Sequence, residues 1–221
     1  MTLSVLVTGS NRGIGLSLCK HYKKMGYTVF AACRKASPAL SALDVEIFEN
    51  IDLADPRSGI EIAECMKKRP LDLLINNAGI LRDEQLGKLN IETIEEQFKV
   101  NTLGPLQITE ALLPLINDGG KIAFITSRMG SIQDNTSGGR YGYRMSKCAL
   151  NAAAVSVAHD VKHRDISVAI LHPGLVGTEM IGGSGNVTPD EAAAQLYDRI
   201  EALSPNNSGS FWHADGSSLP W

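Results

Sequence analysis

Short apolar runs alternate with amphipathic stretches along the 221-residue chain, and this alternation constrains its fold more than any other feature. After the first apolar run, Ile14, Leu18 and Tyr22 recur every four residues, which predicts a strand followed by a helix. Near-continuous apolar strands that alternate with helices are typical of a parallel sheet covered on both faces. We therefore predict a doubly wound α/β fold of about seven strands in a single domain. The predicted strands that can be placed are residues 3–9, 27–33, 45–51, 71–77, 121–127 and 166–172.

Composition and charge exclude several classes of function. The net charge is -3 and no tract of Lys and Arg is interleaved with aromatic residues, so a nucleic acid partner is not expected. No stretch approaches the ~20 apolar residues of a membrane span, and the N-terminus turns polar too soon for a signal peptide. We expect a soluble, cytoplasmic protein. Neither a disulfide nor a metal site is predicted, because no C-x-x-C pair occurs among Cys19, Cys33, Cys65 and Cys148.

The segment TGSNRGIG, residues 8–15, joins the first predicted strand to the first predicted helix. Gly9, Gly13 and Gly15 would allow the backbone to turn tightly and to approach a phosphate group, while the helix N-terminus supplies free N–H groups. The spacing G-x-x-x-G-x-G matches neither the G-x-G-x-x-G fingerprint nor the P-loop, which requires G-K-[ST]. Ordinary turn chemistry is the alternative, but a glycine-rich loop between a strand and a helix favours a nucleotide site.

Basic residues at the end of the second predicted strand indicate which dinucleotide would bind. A carboxylate at this position would bind a ribose 2′-hydroxyl, whereas an arginine accommodates a 2′-phosphate. The strand ends in FAACRK, without an acid and with Arg34 and Lys35. Arg12, in the glycine loop, could contact the same phosphate from the other side. The sequence therefore favours NADP over NAD, unless both arginines are ordinary surface residues.

The segment YGYRMSK, residues 141–147, contains two tyrosines and one lysine. On a helix, Tyr143 and Lys147 would share one face because they are four residues apart, whereas Tyr141 would point elsewhere. A phenol with a pKa of ~10 is a poor acid or base at neutral pH, and a nearby ammonium would lower that pKa. In isolation, a Y-x-x-x-K pair is more often an amphipathic pair on a helix surface. The upstream motifs favour a catalytic pair.

The motifs occur in an order that resembles the classical short-chain dehydrogenase/reductase family, over nearly the whole chain. They are TGSNRGIG, Asp52 in IDLAD, NNAGI at 76–80, Asn101 in FKVN, Ser127 in ITS, Tyr143-x-x-x-Lys147, and Pro173-Gly174 with Thr178. The segments GSIQDNTSGG and GSFWHADGSSLPW are similar to those of small carbonyl reductases of the C-factor and sniffer type. The resemblance implies a Rossmann fold, with a cofactor half at roughly 1–120 and a catalytic and substrate half at roughly 121–221.

The resemblance also implies an enzyme that uses NADPH to reduce a ketone, aldehyde or quinone to an alcohol. Tyr143 would donate a proton to the carbonyl oxygen and Ser127 would hydrogen-bond the same oxygen. Lys147 would assist Tyr143 and hold the nicotinamide ribose. Asn101 would hold a water molecule that links Lys147 to a proton relay. Ser131 is the alternative to Ser127, because the separation of Ser127 and Tyr143 exceeds the family's usual length by a few residues.

Further residues are implied to bind the cofactor. Asp52 would contact the adenine, with Leu53 beside the base, and the loop after the fourth strand would line the cofactor. The segment from Pro173 to Thr178 would meet the nicotinamide carboxamide and the phosphates. The complete set predicted to bind NADP is Gly9, Asn11, Arg12, Gly13, Ile14, Gly15, Arg34, Asp52, Leu53, Asn76, Ala78, Gly79, Tyr143, Lys147, Pro173, Gly174, Val176 and Thr178.

Two other functions stay open on the sequence alone. The fold could serve an NADP(H)-binding regulatory protein with little turnover. The complete set of Asn101, Ser127, Tyr143 and Lys147 favours catalysis, because binding alone does not need an acid of tuned pKa. An isomerase or dehydratase is disfavoured because the region after Thr178 is short.

The substrate and the oligomeric state are less constrained. The short region after Thr178 predicts an open cleft, which would suit an apolar or aromatic carbonyl compound rather than a charged metabolite. The residues that would contact it, or would instead be core residues, are Met129, Ile132, Tyr141, Leu175, Met180 and Ile181. The family resemblance predicts a homodimer or homotetramer through helices at 91–117 and 143–163. The residues that would lie on that face, or would instead pack on the sheet, are Leu150, Ala153, Val157 and Val161.

Overall fold

The structure is a computed structural model that describes residues 2–221. Its strands are β1 (Ser4–Thr8), β2 (Thr28–Ala32), β3 (Glu46–Phe48), β4 (Leu71–Asn76), β5 (Ile116–Ile125), β6 (Ser167–His172) and β7 (Phe211–His213). Within the described residues they form one seven-stranded sheet in the order β3-β2-β1-β4-β5-β6-β7, and all neighbours are parallel. The predicted parallel α/β sheet is therefore confirmed. The six strands that the sequence placed are all present.

Helices cover both faces of the sheet. The α-helices are α1 (Gly13–Lys24), α2 (Pro38–Ser41), α3 (Ser58–Met66), α4 (Ile91–Phe98), α5 (Gly104–Leu112), α6 (Tyr141–Asp160) and α7 (Pro189–Glu201). A π-helical turn at Lys99–Leu103 joins α4 to α5, so the helix predicted at 91–117 is interrupted. Among the helices described here, none has the length and apolar character that crossing a membrane would require.

The strands are apolar on both sides because each face of the sheet has its own buried layer. In β4, Leu74 packs in the layer beneath α3, α5 and α6. Its neighbours Leu73 and Ile75 point the other way and pack beneath α1 and α7. Burying one such side chain contributes about 1.5–3 kcal/mol. This two-sided burial explains why the sequence shows continuous apolar runs rather than alternation.

Helix α6 packs on the sheet through the side chains that were considered for an association face. Leu150, Val157 and Val161 are buried in the layer between α6 and the sheet. Ala153 is half-buried. For Leu150, Val157 and Val161 the alternative that they pack on the sheet is confirmed, while association of the chain through these helices stays a prediction. A change such as Val157→Arg would therefore disrupt the core.

The strand order creates a crevice at one edge of the sheet. The chain runs outwards from β1 through β2 to β3, and then returns to the other side of β1 as β4. In parallel α/β sheets, ligands bind at such a reversal, outside the carboxyl ends of the strands. The loops that follow β1 and β4, which carry two of the predicted motifs, therefore face one another.

Candidate active site

A cavity of about 920 Å³ opens at the carboxyl ends of the strands. Its walls come from the loops that follow β1 to β6, together with the start of α6. Every residue predicted to bind the cofactor or to act in catalysis lines this cavity, except Asn76 and Asn101. The volume lies within the range of ~300–1,000 Å³ that is usual for small-molecule and cofactor sites.

The glycine loop after β1 is built by close approach of the backbone to itself and to the neighbouring loop. Gly9 has a φ of +65°, and a Cβ atom there would lie 2.7 Å from Cα of Ala78. A Cβ atom at Gly15 would lie 2.2 Å from the carbonyl oxygen of Gly9. No side chain fits at either position, so the tight turn that the sequence predicted is present and requires glycine.

The N-terminus of α1 adjoins this loop and forms part of the cavity wall. Gly13, Ile14 and Gly15 line the cavity. Arg12, at the N-cap, makes no side-chain cap, and the first turn contains no acidic residue. The free N–H groups of a helix N-terminus carry a partial positive charge and attract phosphate groups. The loop and the helix together fit the pyrophosphate of a dinucleotide.

The loop after β4 is fixed to β1 by hydrogen bonds. The Thr8 hydroxyl accepts the backbone N–H groups of Asn77 and Ala78 at 3.0 and 3.1 Å, and the Asn77 amide donates to the Thr8 carbonyl at 2.9 Å. Asn76 lies within the strand and is buried beneath α5, where its amide donates to the Thr109 hydroxyl at 3.0 Å. Placing Asn76 in the cofactor wall is therefore wrong. Asn77, which the sequence reasoning missed, lines the cavity instead.

Two arginines on different loops line the part of the cavity where a 2′-phosphate was predicted. Arg34 follows β2, is exposed, and makes no side-chain hydrogen bond or ion pair within residues 2–221. Arg12 pairs instead with the carboxylate of Glu179, which follows β6. Both members of that pair are largely exposed, so it contributes at most about 1 kcal/mol. Arg34 is the arginine that could bind a phosphate without giving up another partner.

Tyr143 and Lys147 lie on one face of α6, as the spacing predicted. Both side chains are buried, and Nζ of Lys147 lies 5.9 Å from the centre of the Tyr143 ring. Nζ of Lys147 donates a hydrogen bond to the carbonyl oxygen of Ile125 at 3.0 Å. Tyr141 is half-buried and does not contribute to the cavity wall. Of the two tyrosines, only Tyr143 can meet a ligand in the cavity.

Burial controls the protonation of both side chains. It raises the pKa of Tyr143 above the ordinary value, while the Ser127 hydroxyl and the charge of Arg140 partly offset this rise. Burial also lowers the pKa of Lys147 to about 8. The expectation that Lys147 lowers the pKa of Tyr143 is wrong for the protein by itself, because desolvation of the phenolate outweighs the neighbouring charges. Tyr143 is consequently protonated at neutral pH, the form that an acid requires.

Ser127 and Ser131 occupy different environments in the loop after β5. Ser127 lines the cavity, and its hydroxyl is close enough to Tyr143 to influence the pKa of the phenol. Ser131 is buried away from the cavity, and its hydroxyl accepts the N–H of Asp134 at 3.0 Å. The extra residues of the loop project outwards as a mostly exposed segment at 132–138. This geometry supports Ser127 rather than Ser131 as the serine that faces a substrate.

Asn101 lies in the π-helical turn between α4 and α5, a local geometry that is frequent at functional sites. Its amide donates to the Ile80 carbonyl at 2.9 Å and to the Ser146 hydroxyl at 3.0 Å, and accepts the Ile80 N–H at 2.8 Å. A Cβ atom at Gly79 would lie 3.2 Å from Oδ1 of Asn101 and 3.5 Å from Nζ of Lys147. Asn101 therefore lies near Lys147 and fixes the loop between them, while its role in holding a water molecule stays a prediction.

A buried carboxylate that the sequence reasoning missed holds the start of α6. Glu84 accepts hydrogen bonds from the Gly142 N–H at 3.1 Å, the Gln97 amide at 2.6 Å and the Thr93 hydroxyl at 2.8 Å. Its carbonyl oxygen accepts the backbone N–H of Arg140 at 2.8 Å. A carboxylate is favourable at a helix N-terminus. No local motif marks Glu84, because its partners come from segments that are distant in the sequence.

His172 ends β6 and forms an uncharged part of the cavity wall. Its ring meets that of His213 edge to face, with 5.0 Å between the ring centres. Burial lowers the pKa of His172 to about 3, so the imidazole is neutral at physiological pH. His172 therefore adds no positive charge to this part of the cavity.

Apolar and charged side chains share the wall on the Tyr143 side. Of the predicted apolar contacts, those that line the cavity are Met129, Leu175, Met180 and Ile181. Ile132 is 77% exposed and, like Tyr141, lies outside the wall. Three arginines that the sequence reasoning missed also line this part, namely Arg82, Arg128 and Arg140.

Comparisons with known proteins agree with this architecture. The sequence model of the family described as short chain dehydrogenase matches residues 4–187. A 1-hydroxy-2-glutathionyl-2-methyl-3-butene dehydrogenase from Rhodococcus sp. (strain AD45) is 38% identical over 224 residues, which cover 99% of each chain. The carbonyl reductase Sniffer of D. melanogaster and an NADPH-bound carbonyl reductase from chicken fatty liver each have a TM-score of 0.89, at 31% identity over 100% of both chains. The chain therefore belongs to the short-chain dehydrogenase family of oxidoreductases.

Proposed function

We propose that this protein is a reductase that uses NADPH to convert a ketone, aldehyde or quinone to an alcohol. The observation that carries the proposal is the burial of Tyr143 and Lys147 together in the wall of one cavity, with Ser127 beside Tyr143. Reduction of a carbonyl needs a hydride on carbon and a proton on oxygen. NADPH supplies the hydride when it is bound.

The residues of the cavity fit NADPH at several points. The turn of Gly9 and Gly15 lets the backbone approach a pyrophosphate, and the uncapped N-terminus of α1 favours its charge. Arg34, which has no other partner within residues 2–221, would bind the 2′-phosphate that distinguishes NADPH from NADH. Asp52 and Leu53 line the cavity beside it and would contact the adenine. The preference for NADPH follows from Arg34 and from the lack of an acid at the end of β2.

The proton would come from Tyr143. Burial keeps the phenol protonated, and the Ser127 hydroxyl can donate a hydrogen bond to the same carbonyl oxygen as negative charge develops there. When Tyr143 loses its proton, the buried ammonium of Lys147 on the next turn would stabilise the phenolate. A positioned acid of this kind contributes about 10²–10⁴-fold to a rate.

The names of similar proteins support this reaction class. The Rhodococcus relative is named as a dehydrogenase of a 1-hydroxy compound, and the two similar structures are named as carbonyl reductases. All three names describe the interconversion of an alcohol and a carbonyl compound. The chicken reductase is described as NADPH-bound, which supports the same cofactor here.

The test is the loss of NADPH absorbance in the presence of aromatic aldehydes, diketones and quinones, with NADH in parallel. The wild type should turn over at least one of these carbonyl classes, and Tyr143→Phe should lower kcat by about 10²–10⁴-fold. Tyr141→Phe is the matched control, because it removes a hydroxyl from the same helix outside the cavity. Binding of NADPH without turnover would contradict the proposal and favour the NADP(H)-binding regulatory protein.

A further inference from the structure

We infer that Arg140 binds an anionic group on the carbonyl substrate, so that the preferred substrates are carbonyl compounds that carry a carboxylate. The inference rests on the proposed reductase function and names its substrate class. It departs from the uncharged substrate that the sequence suggested.

The guanidinium of Arg140 lines the cavity without a hydrogen-bonded oxygen. Its Nη1 lies 3.9 Å from the thioether sulfur of Met129, which is a weak acceptor. Its Nε forms an ion pair with Asp83, but the 3.6 Å to Oδ1 is beyond hydrogen-bonding distance. Within residues 2–221 no oxygen accepts a hydrogen bond from this side chain, which is 42% exposed. The donors of the guanidinium are therefore available to a ligand.

The two other arginines on this side of the cavity are already engaged. Arg82 donates to the Glu96 carboxylate at 3.0 Å and to the carbonyl oxygen of Leu81 at 3.2 Å. Arg128 donates from Nε to the carboxylate of Asp134 at 2.7 Å. Arg140 differs from both because its nearest carboxylate is too distant for a hydrogen bond. Among these three arginines of the cavity wall, Arg140 is the one whose guanidinium donates to no oxygen, so an anion can bind it without displacing a hydrogen-bonded carboxylate.

The backbone presents Arg140 in a conformation that a residue with a Cβ rarely adopts. Arg140 has a φ of +50°, directly after Gly138 and Gly139 with φ values of +62° and +65°. Its N–H donates to the carbonyl oxygen of Glu84 at 2.8 Å, and the Glu84 carboxylate is itself buried and fully hydrogen-bonded. Strained positions that the surroundings hold in place are frequent at ligand-binding sites. The backbone position from which the Arg140 side chain extends is thus fixed by the fold.

Arg140 lies near the reacting group rather than near the cofactor phosphates. Its charge is felt by Tyr143, three residues further along the chain, which would contact the carbonyl oxygen. Its own neighbours, Asp83 and Met129, are on the loops after β4 and β5. The glycine loop packs instead against Ala78 and Thr178. The anion that meets Arg140 would therefore belong to the substrate.

A carboxylate suits this environment better than a phosphate. A planar guanidinium binds a carboxylate through two parallel hydrogen bonds and matches its single charge. A phosphate dianion would call for a second free cation, and the neighbouring arginines are paired. Met129 and Leu175 offer apolar surface for the body of the molecule. An aromatic or aliphatic aldehyde or ketone with a carboxylate at its far end combines these features.

The experiment compares two aldehydes of similar size and reactivity, 4-carboxybenzaldehyde and methyl 4-formylbenzoate. The wild type should prefer the acid over the ester in kcat/KM, chiefly through a lower KM. In Arg140→Gln the ratio should fall by about tenfold, the usual effect of losing a charge-assisted hydrogen bond at a half-exposed site. Arg140→Lys should retain part of the preference. Arg57→Gln, which neutralises an exposed arginine outside the cavity wall, should leave the ratio unchanged.

Equal use of the acid and the ester by the wild type would overturn the inference while leaving the reductase intact. A ratio unchanged in Arg140→Gln, or a variant that loses affinity for NADPH instead, would overturn it as well. A binding measurement separates this inference from failure of the proposed function. Calorimetry with 4-(hydroxymethyl)benzoate and its methyl ester should show binding of the acid that depends on Arg140, even if no carbonyl compound is turned over. Equal binding of both by the wild type and Arg140→Gln would contradict it.

Discussion

The two ends of the cavity are built by different means. At the glycine end the backbone forms the wall, because Gly9 and Gly15 approach other backbone atoms too closely for any side chain. At the Tyr143 end the wall consists of side chains on loops, such as Met129, Leu175 and Arg140. A backbone wall leaves a signature of glycines at fixed positions, whereas a side-chain wall leaves none. The sequence could therefore predict a loop that approaches a phosphate, whereas it contains no comparable pattern for the substrate.

Each end nevertheless contains one arginine whose side chain donates to no oxygen among the described residues. Arg34 stands at the glycine end and Arg140 at the Tyr143 end, whereas Arg12, Arg82 and Arg128 are paired with carboxylates. An arginine that donates no hydrogen bond to an oxygen of the protein can bind a ligand at lower cost, since no such hydrogen bond must be given up. We therefore propose that Arg34 binds the 2′-phosphate at one end and that Arg140 binds a substrate anion at the other.

The largest expected effect is at the backbone wall. Gly15→Ala would place Cβ 2.2 Å from the Gly9 carbonyl oxygen, so we expect a loss of more than about 3 kcal/mol in the free energy of unfolding and loss of NADPH binding. Gly26→Ala is the matched control, since φ is +86° but no atom lies within 4 Å of the added Cβ. It should cost only about 1–2 kcal/mol. Urea denaturation would measure the stability of both variants, and NADPH fluorescence titration would measure their binding. Similar losses in the two variants would contradict the explanation that backbone contact excludes a side chain at Gly15.

A second effect comes from the burial of Lys147 in the cavity wall. Burial lowers the pKa of Lys147 from 10.5 to about 8. The buried ammonium therefore reduces the stability of the fold, and the whole of this reduction is present below about pH 8. As the pH rises from about 8 to 10.5 the folded state loses its proton first, and this destabilisation disappears. The stability of the wild type relative to Lys147→Met should therefore rise by about 3 kcal/mol over that interval. Urea denaturation at several pH values would measure it, and a difference that stays flat with pH would contradict the burial argument.

The smallest expected effect is at Arg34, on the exposed rim of the glycine end. Arg34→Leu should weaken NADPH binding by about tenfold and leave NADH binding nearly unchanged, because only NADPH has the 2′-phosphate. Lys35→Leu, at the neighbouring exposed position, should have a smaller effect. Fluorescence titration with both cofactors would measure the ratio. An equal loss for NADH would show that Arg34 acts on the loop and not on the phosphate.

The sequence was sufficient to predict those features of the fold and site that depend on local or periodic patterns. The two-sided burial of β4 produced the apolar run at 71–77, and the four-residue spacing placed Tyr143 and Lys147 on one face of α6. It failed where contacts are non-local. Asn76 and Asn77 are neighbours in one motif, but they lie in different environments. Asn76, the last residue of β4, is buried beneath α5, whereas Asn77, in the loop that follows, lines the cavity.

The remaining errors also come from burial, which no short motif records. The sequence could not show that desolvation of Tyr143 outweighs the charges around it. It also could not show which side of α6 meets the sheet, so Val157 could be assigned equally to the core or to an association face. Glu84 and Arg140 were missed because their roles depend on segments brought together by the fold.

We propose that NADPH binds at one end of the cavity and that Tyr143, at the other end, supplies the proton. The most direct measurement is a single turnover of an aldehyde by protein already saturated with NADPH, together with the NADPH Kd of the same preparation. Tyr143→Phe should bind NADPH within about threefold of the wild type and slow the single turnover by about 10²–10⁴-fold. A variant that turns over at the wild-type rate, or that loses NADPH affinity as steeply as it loses turnover, would contradict the account.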